Sequence, residues 1–141
     1  MILLDTNLLI YAHRSGVPEH RAAQRAIELA CDDPRGVGIA EASVAELWSV
    51  VTHPSCPGRP ARPKEVVRFL RALVEGGIHL WDPGGGFALR LSQLAANLGI
   101  SGPRIFDLRI ALTGLDNGAT ELWTHDQNFV RPRGLKLRDP L

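Results

Sequence analysis

The shortages in this chain are informative. Of its 141 residues only two are cysteine, Cys31 and Cys56. They form no CxxC pair and fit no Cys/His zinc spacing, which excludes a zinc ribbon and a disulfide-stapled scaffold. A reducing cytoplasm is therefore the expected compartment. Charge of either sign is not in excess: 16 basic residues face 15 acidic ones, for a net charge of +1. That excludes a histone-like polycation. Lysine is nearly missing, with Lys64 and Lys136 alone among the basic residues and arginine making up the rest. No apolar run approaches the roughly 18 residues that would suggest a membrane-spanning helix. The start, Met1-Ile2-Leu3-Leu4-Asp5, has no basic segment and meets an acid after three apolar residues, so it makes a poor signal peptide. Gly84-Gly85-Gly86 lacks the GxGxxG spacing of a dinucleotide site and reads as a turn.

What is present is an ordinary globular composition, 45% hydrophobic and 22% charged, with the length of a single domain over residues 1–141. Short apolar runs alternate with helical patterns. Ile2–Leu4, Val37–Ala40, Ile78–Trp81 and Glu121–Thr124 read as strands, with Leu135–Leu137 a short fifth. Helices are expected over Pro18–Cys31, Ala42–Thr52, Pro63–Glu75, Phe87–Leu98 and Pro103–Asn117. Val44, Leu47, Trp48 and Val51 form one inward stripe, and Val66, Val67, Leu70, Leu73 and Val74 another. Three prolines make Pro54–Pro60 a loop. Strands separated by helices predict an α/β fold: a parallel sheet of four to five strands with helices on both faces.

In an open parallel sheet, chemistry collects beyond the carboxyl ends of the strands. Asp5 follows the first strand and Asp126 the fourth; each is also a good helix N-cap. Glu46 is the only charged residue between Ala42 and Val51, which marks it as a partly buried carboxylate in need of a partner. Asp107 lies in the second turn of the helix that begins near Pro103, where an acid also suits the helix dipole. Four acids brought together repel, and no lysine is near any of them. A hard divalent cation, Mg²⁺ or Mn²⁺, is the natural counter-charge.

Asp5-Thr6-Asn7 after an N-terminal strand, Glu46 in a mid-chain helix, Asp107 in Phe106-Asp107-Leu108-Arg109-Ile110-Ala111, and Asp126 in Thr124-His125-Asp126-Gln127-Asn128-Phe129 resemble the PIN-domain pattern. The likeness is to the VapC-type ribonuclease toxins of bacterial toxin–antitoxin pairs, and it runs over essentially the whole chain. It implies a three-layer α/β/α fold and a metal-dependent endoribonuclease, in which Asp5, Glu46, Asp107 and Asp126 hold one or two Mg²⁺ or Mn²⁺ ions that activate the attacking water. Thr6, Asn7 and Thr124 would support these acids, or serve as turn and capping residues. Asn128 stands where many relatives carry a further Asp. Arg104, Arg109, Arg131 and Arg133 are candidates for RNA phosphates or for surface solubility. His13 and His125 are either structural or general bases. The resemblance also implies a VapB-type antitoxin as partner and a homodimer. Three rivals stand beside it: a PIN nuclease of RNA processing or DNA repair, a receiver-like phospho-acceptor for which Lys136 is the only available lysine, and a non-catalytic interaction module.

Overall fold

A computed structural model describes residues 1–56 and 58–141; Pro57, within the expected Pro54–Pro60 loop, lies outside the described residues. Five strands form one sheet: β1 (Ile2–Leu4), β2 (Val37–Ala40), β3 (Ile78–Trp81), β4 (Glu121–Trp123) and β5 (Lys136–Arg138), in the order β3-β2-β1-β4-β5. Every pairing is parallel. The chain builds β1 to β3 outward on one side, then returns to place β4 on the other side of β1. The strand order therefore reverses between β1 and β4, and a crevice opens there at the carboxyl ends.

Alternation along the strands divides the core. Ile2, Leu4, Val37, Ile39 and Ile78 face one layer, packed under helices α1 (Thr6–His13), α2 (His20–Cys31), α3 (Glu41–Val51) and α4 (Pro63–Glu75). Leu3, Trp81 and Leu122 face the other, against Ile110 and Ala111 of α6 (Ile105–Asp116). Helix α5 (Phe87–Leu98) adds a small cluster in which Ala95 meets Leu108 of α6 and Val130. The result is the three-layer α/β/α arrangement. Close packing is tightest at Gly38, where the Trp81 ring occupies the place of any Cβ.

Several elements depart from expectation. Helix α1 was not anticipated: Thr6–His13 is almost continuously apolar after Asn7, so no helical period stands out. The helix forms because Asp5, extended at φ −76° and ψ 154°, caps it while Leu8, Leu9 and Ala12 are buried. Helix α2 begins at His20, because Pro18 lies in the turn before it. Pro103 lies in a short 3₁₀ turn, Gly102–Arg104, so α6 starts later and Asp107 is in its first turn, not its second. Strand β5 sits one residue on from Leu135–Leu137, and β4 ends at Trp123. Trp48 is 38% exposed, and Val67 and Val74 also face out. Helices α3 and α4 are buried along narrower stripes than their apolar content suggested.

Candidate active site at the crevice between β1 and β4

Asp5 stands immediately beyond β1 and is only 6% exposed. Its Oδ1 accepts a 2.6 Å hydrogen bond from the Thr6 backbone N–H. Its Oδ2 accepts one of 2.6 Å from the hydroxyl of Thr124, the first residue beyond β4. Parallel pairing of Leu4 with Trp123 brings these two strand ends side by side. Thr124 is fully buried and is the centre of the network. Its single proton is given to Asp5, so it accepts from the Asn7 Nδ2 at 3.0 Å and from the Asp126 N–H at 3.0 Å. That bookkeeping fixes the Asn7 amide: its NH₂ faces Thr124, and its Oδ1 is left buried without a partner.

Thr6 reaches the other way. Its hydroxyl donates to Glu46 Oε2 at 2.8 Å, which answers the expectation that Glu46, half-buried on α3, needs a partner. Asp126 is exposed, and its Oδ1 caps the Asn128 N–H at 2.8 Å. Asp107 is half-buried on α6 and accepts a long 3.4 Å bond from the Val130 N–H. Asp5, Thr6, Asn7, Glu46 and Asp126, with Ile10, Ser49 and Val50, line one open pocket of about 340 Å³. Asp107 is outside that lining, held on α6 by its bond to the Val130 N–H.

The electrostatics tie the acids together. Burial raises the Asp5 carboxyl to about 7, the hydrogen bonds from Thr124 and Thr6 oppose the rise, and the charges of Asp107 and Glu46 add to it. Burial also raises Asp107; the Val130 N–H and Arg104 oppose this and Asp126 reinforces it. Asp5 and Asp107 therefore keep their protons to higher pH than free carboxylates do.

The donor set suits a hard cation in kind: all four acids offer oxygen, and the Asn7 carbonyl oxygen is buried and unpaired. Among the described residues no group of three or more His, Cys, Asp or Glu side chains stands close enough together to hold a metal ion by itself. Mg²⁺ does not require one, since it commonly binds through one or two carboxylates and completes its shell with water and substrate phosphate. Glu46, Asp107 and Asp126 each use only one oxygen on the protein.

The remaining candidates separate. Arg109 is paired with Glu41 at 3.0 Å, Arg104 is bonded to the Asn128 carbonyl at 3.1 Å and Arg131 to that of Leu135 at 3.1 Å. Arg133 is exposed. His13 ends α1, edge-on to Phe69 at 5.1 Å, with burial lowering its pKa; it is one helix length from Asp5. His125 is beside the site but engaged by Asp139 at 2.9 Å. Lys136 starts β5, opposite Glu121 and so at the end of the sheet away from the acids, which leaves a receiver-like site without its lysine. Two residues escaped sequence reasoning. Tyr11 lies one turn beyond Asn7 on the unanticipated α1 and meets the His125 ring edge-on at 6.1 Å. Asp139, just past β5, also takes the Gln127 amide at 3.2 Å and so ties down the Asp126 loop. Only the pairing of Trp123 with Arg138 brings it there.

Comparison with known proteins agrees with this fold. The PIN domain family model matches residues 2–135. Ribonuclease VapC43 of Mycobacterium tuberculosis is 30% identical, the alignment covering 100% of this chain and 96% of that one. Two solved structures share the fold. VapBC2 from Rickettsia felis, bound to a DNA fragment from its promoter, superposes with a TM-score of 0.70 at 22% identity over 98% of each chain. VapC20 of M. tuberculosis, a toxin that cleaves the Sarcin-Ricin loop, gives a TM-score of 0.69 at 14% identity, covering 94% of this chain and 100% of that one.

Proposed function

This chain belongs to the PIN-domain family, and from that premise we propose that it is, over residues 1–141, a single-domain Mg²⁺- or Mn²⁺-dependent endoribonuclease, the toxin of a type II toxin–antitoxin pair acting in the cytoplasm. One observation carries the reading: Asp5, Glu46 and Asp126 line one pocket at the β1–β4 crevice, and the charge of Asp107 on α6 acts on Asp5. A phosphodiester is anionic, and bare carboxylates repel it. When bound, the metal reverses that local field and makes water a stronger nucleophile at neutral pH.

The chain's own residues do the rest. Asp5 is the buried anchor, oriented by Thr124 and by the Thr6 N–H. Thr6 holds Glu46 so that its second oxygen faces the pocket. Asn7 turns a carbonyl oxygen inward. Asp126, held out by its cap on Asn128, and Asp107, approaching from α6, complete the acid set. Arg133, exposed before β5, is the RNA phosphate contact, with Arg104, Arg131 and Arg109 in supporting roles through their present bonds.

A VapB-type antitoxin is the expected partner, since a free nuclease needs restraint, and a homodimer the expected assembly. Asp5→Asn, Glu46→Gln, Asp107→Asn and Asp126→Asn should each abolish most RNA cleavage, and double variants should lose little more, because the four act as a unit. Cleavage should stop in EDTA and return with Mg²⁺ or Mn²⁺. Undiminished cleavage in EDTA by purified protein would end the metal reading. Production of the wild type alone should arrest growth, with relief by a co-expressed neighbouring gene; normal growth with abundant soluble protein would count against the toxin role.

A further inference from the structure

The outward face of α4 is cationic beyond what a solvated helix requires. Along α4 and its N-cap the chain carries Arg62, Lys64, Arg68 and Arg71, all exposed, against two acids, Glu65 and, one turn beyond Arg71, Glu75. Glu65 is already taken: its Oε1 accepts from Arg59 at 2.9 Å and its Oε2 from the Arg62 N–H at 2.9 Å. Lys64, Arg68 and Arg71 fall on one face at four- and three-residue spacing, with Pro63 and the exposed Val67 between them, around a shallow depression of about 380 Å³. Like charges at this spacing repel, and most exposed helices interleave acids to avoid it. Lys64 is also in the first turn, where the helix dipole disfavours a cation.

Resting on the nuclease reading above, we propose that Lys64, Arg68 and Arg71 form an RNA-backbone exosite that holds the substrate strand away from the scissile bond. Charge complementarity selects the occupant: three cations on one ridge fit successive phosphates, and the exposed Val67 and Pro63 offer an apolar floor for a sugar or base. The ridge is mechanically joined to the acids. Helix α1 begins at the site and ends at His13, which packs edge-on against Phe69 on the inner side of α4. Helix α1 spans about 12 Å from the site to His13, and the width of α4, about 10 Å, separates Phe69 from the ridge, so a bound strand would cross several nucleotides between the two. By contrast, Arg104, Arg109 and Arg131 spend donors on protein partners.

The test is the salt dependence of RNA binding and cleavage. Full-length wild type is compared with Lys64→Gln/Arg68→Gln/Arg71→Gln, and with Arg21→Gln/Arg25→Gln/Lys136→Gln, which removes the same net charge elsewhere. With a single-stranded oligonucleotide, the α4 variant should raise KM several-fold at moderate salt. It should also flatten the slope of log K against log salt by about 2, at roughly 0.7 per lost phosphate contact. The control should leave the slope unchanged, and Arg68→Lys/Arg71→Lys should retain it. Thermal melts verify that each variant is folded. A wild type that binds RNA with the same slope as a folded α4 variant, or an equal change in the control, overturns the exosite alone. A wild type that binds no RNA removes the nuclease reading and the exosite with it. Loss of poly-glutamate binding in the α4 variant, with the RNA slope intact, would assign the ridge to an acidic protein partner and overturn the proposal.

Discussion

The burial of Asp5 makes a quantitative prediction about the metal-free protein. Its carboxyl rises from 3.8 to about 7 on folding. A raised carboxyl means that the folded state binds a proton more tightly than the unfolded chain does. The associated stability is fully present below the unfolded value and is lost as pH climbs through about 7. At 1.36 kcal/mol per unit the whole effect is about 4 kcal/mol, of which about 2.7 kcal/mol falls between pH 5 and pH 8.5. Asp5→Asn removes it. The variant has its own cost of about 1–3 kcal/mol, because an amide NH₂ would face Thr124, which already accepts from two donors. Chemical denaturation in EDTA, at about pH 5 and about pH 8.5, should therefore show the wild type losing its advantage over the variant by about 2.7 kcal/mol as pH rises. Taking the difference between the two proteins cancels His13, whose lowered pKa acts with the opposite sign in the same window. Asp33, Glu65, Asp116 and Glu121 are lowered by their arginine partners, so their stability is lost only as pH falls, below this range. Parallel curves for the two proteins, agreeing within about 0.5 kcal/mol, would refute the claim that folding strains this carboxylate.

Other outcomes follow from the same contacts. Thr124→Val keeps the shape but removes the proton given to Asp5 and the acceptor for Asn7 and Asp126; denaturation should show a loss of about 2–4 kcal/mol, and the acid limb of the cleavage profile should move to higher pH. Asp126→Asn retains the cap on Asn128, so its metal-free melting temperature should hold or rise, while the wild type alone gains about 1.4 kcal/mol at a tenfold excess of Mg²⁺ over Kd; equal metal shifts in both would remove Asp126 from the site. Gly38→Ala drives a methyl into the Trp81 ring and should cost about 1–3 kcal/mol by thermal melt; an unchanged melt would show that the β2–β3 face is looser than described.

The acids were legible and their mutual arrangement was not. Glu46 announced itself because a lone charge in an apolar helix is locally improbable. Asp5 and Asp126 were found because the parallel-sheet rule directs attention to strand ends. Yet no local pattern says that β4 lies beside β1 rather than beside β3, and that choice alone makes Thr124 a neighbour of Asp5. Helix α1 was missed for a related reason: a segment buried on most sides shows no amphipathic period, and its cap, Asp5, was already noticed as a carboxylate. With α1 unseen, Tyr11 had no assigned place. The exposed Trp48 and Val67 erred in the other direction, since apolar identity was taken for burial on helices that pack through only part of their apolar face.

Thr124 shows why the supporting residues matter as much as the acids. A hydroxyl has one proton, and spending it on Asp5 forces both Asn7 and the Asp126 backbone to act as donors. Asn7 must then present its oxygen, unpaired, beside a carboxylate whose burial holds it to about 7. Buried oxygens without donors are costly, and they become favourable only when positive charge arrives. On the proposed metal-dependent reading, a proton on Asp5 and a divalent cation in the pocket would be competing ways of supplying it. Cation binding near neutral pH would then release a proton from Asp5, and affinity would rise with pH until Asp5 is fully ionised. The site is a set of oxygens prepared for a charge that the polypeptide itself does not provide.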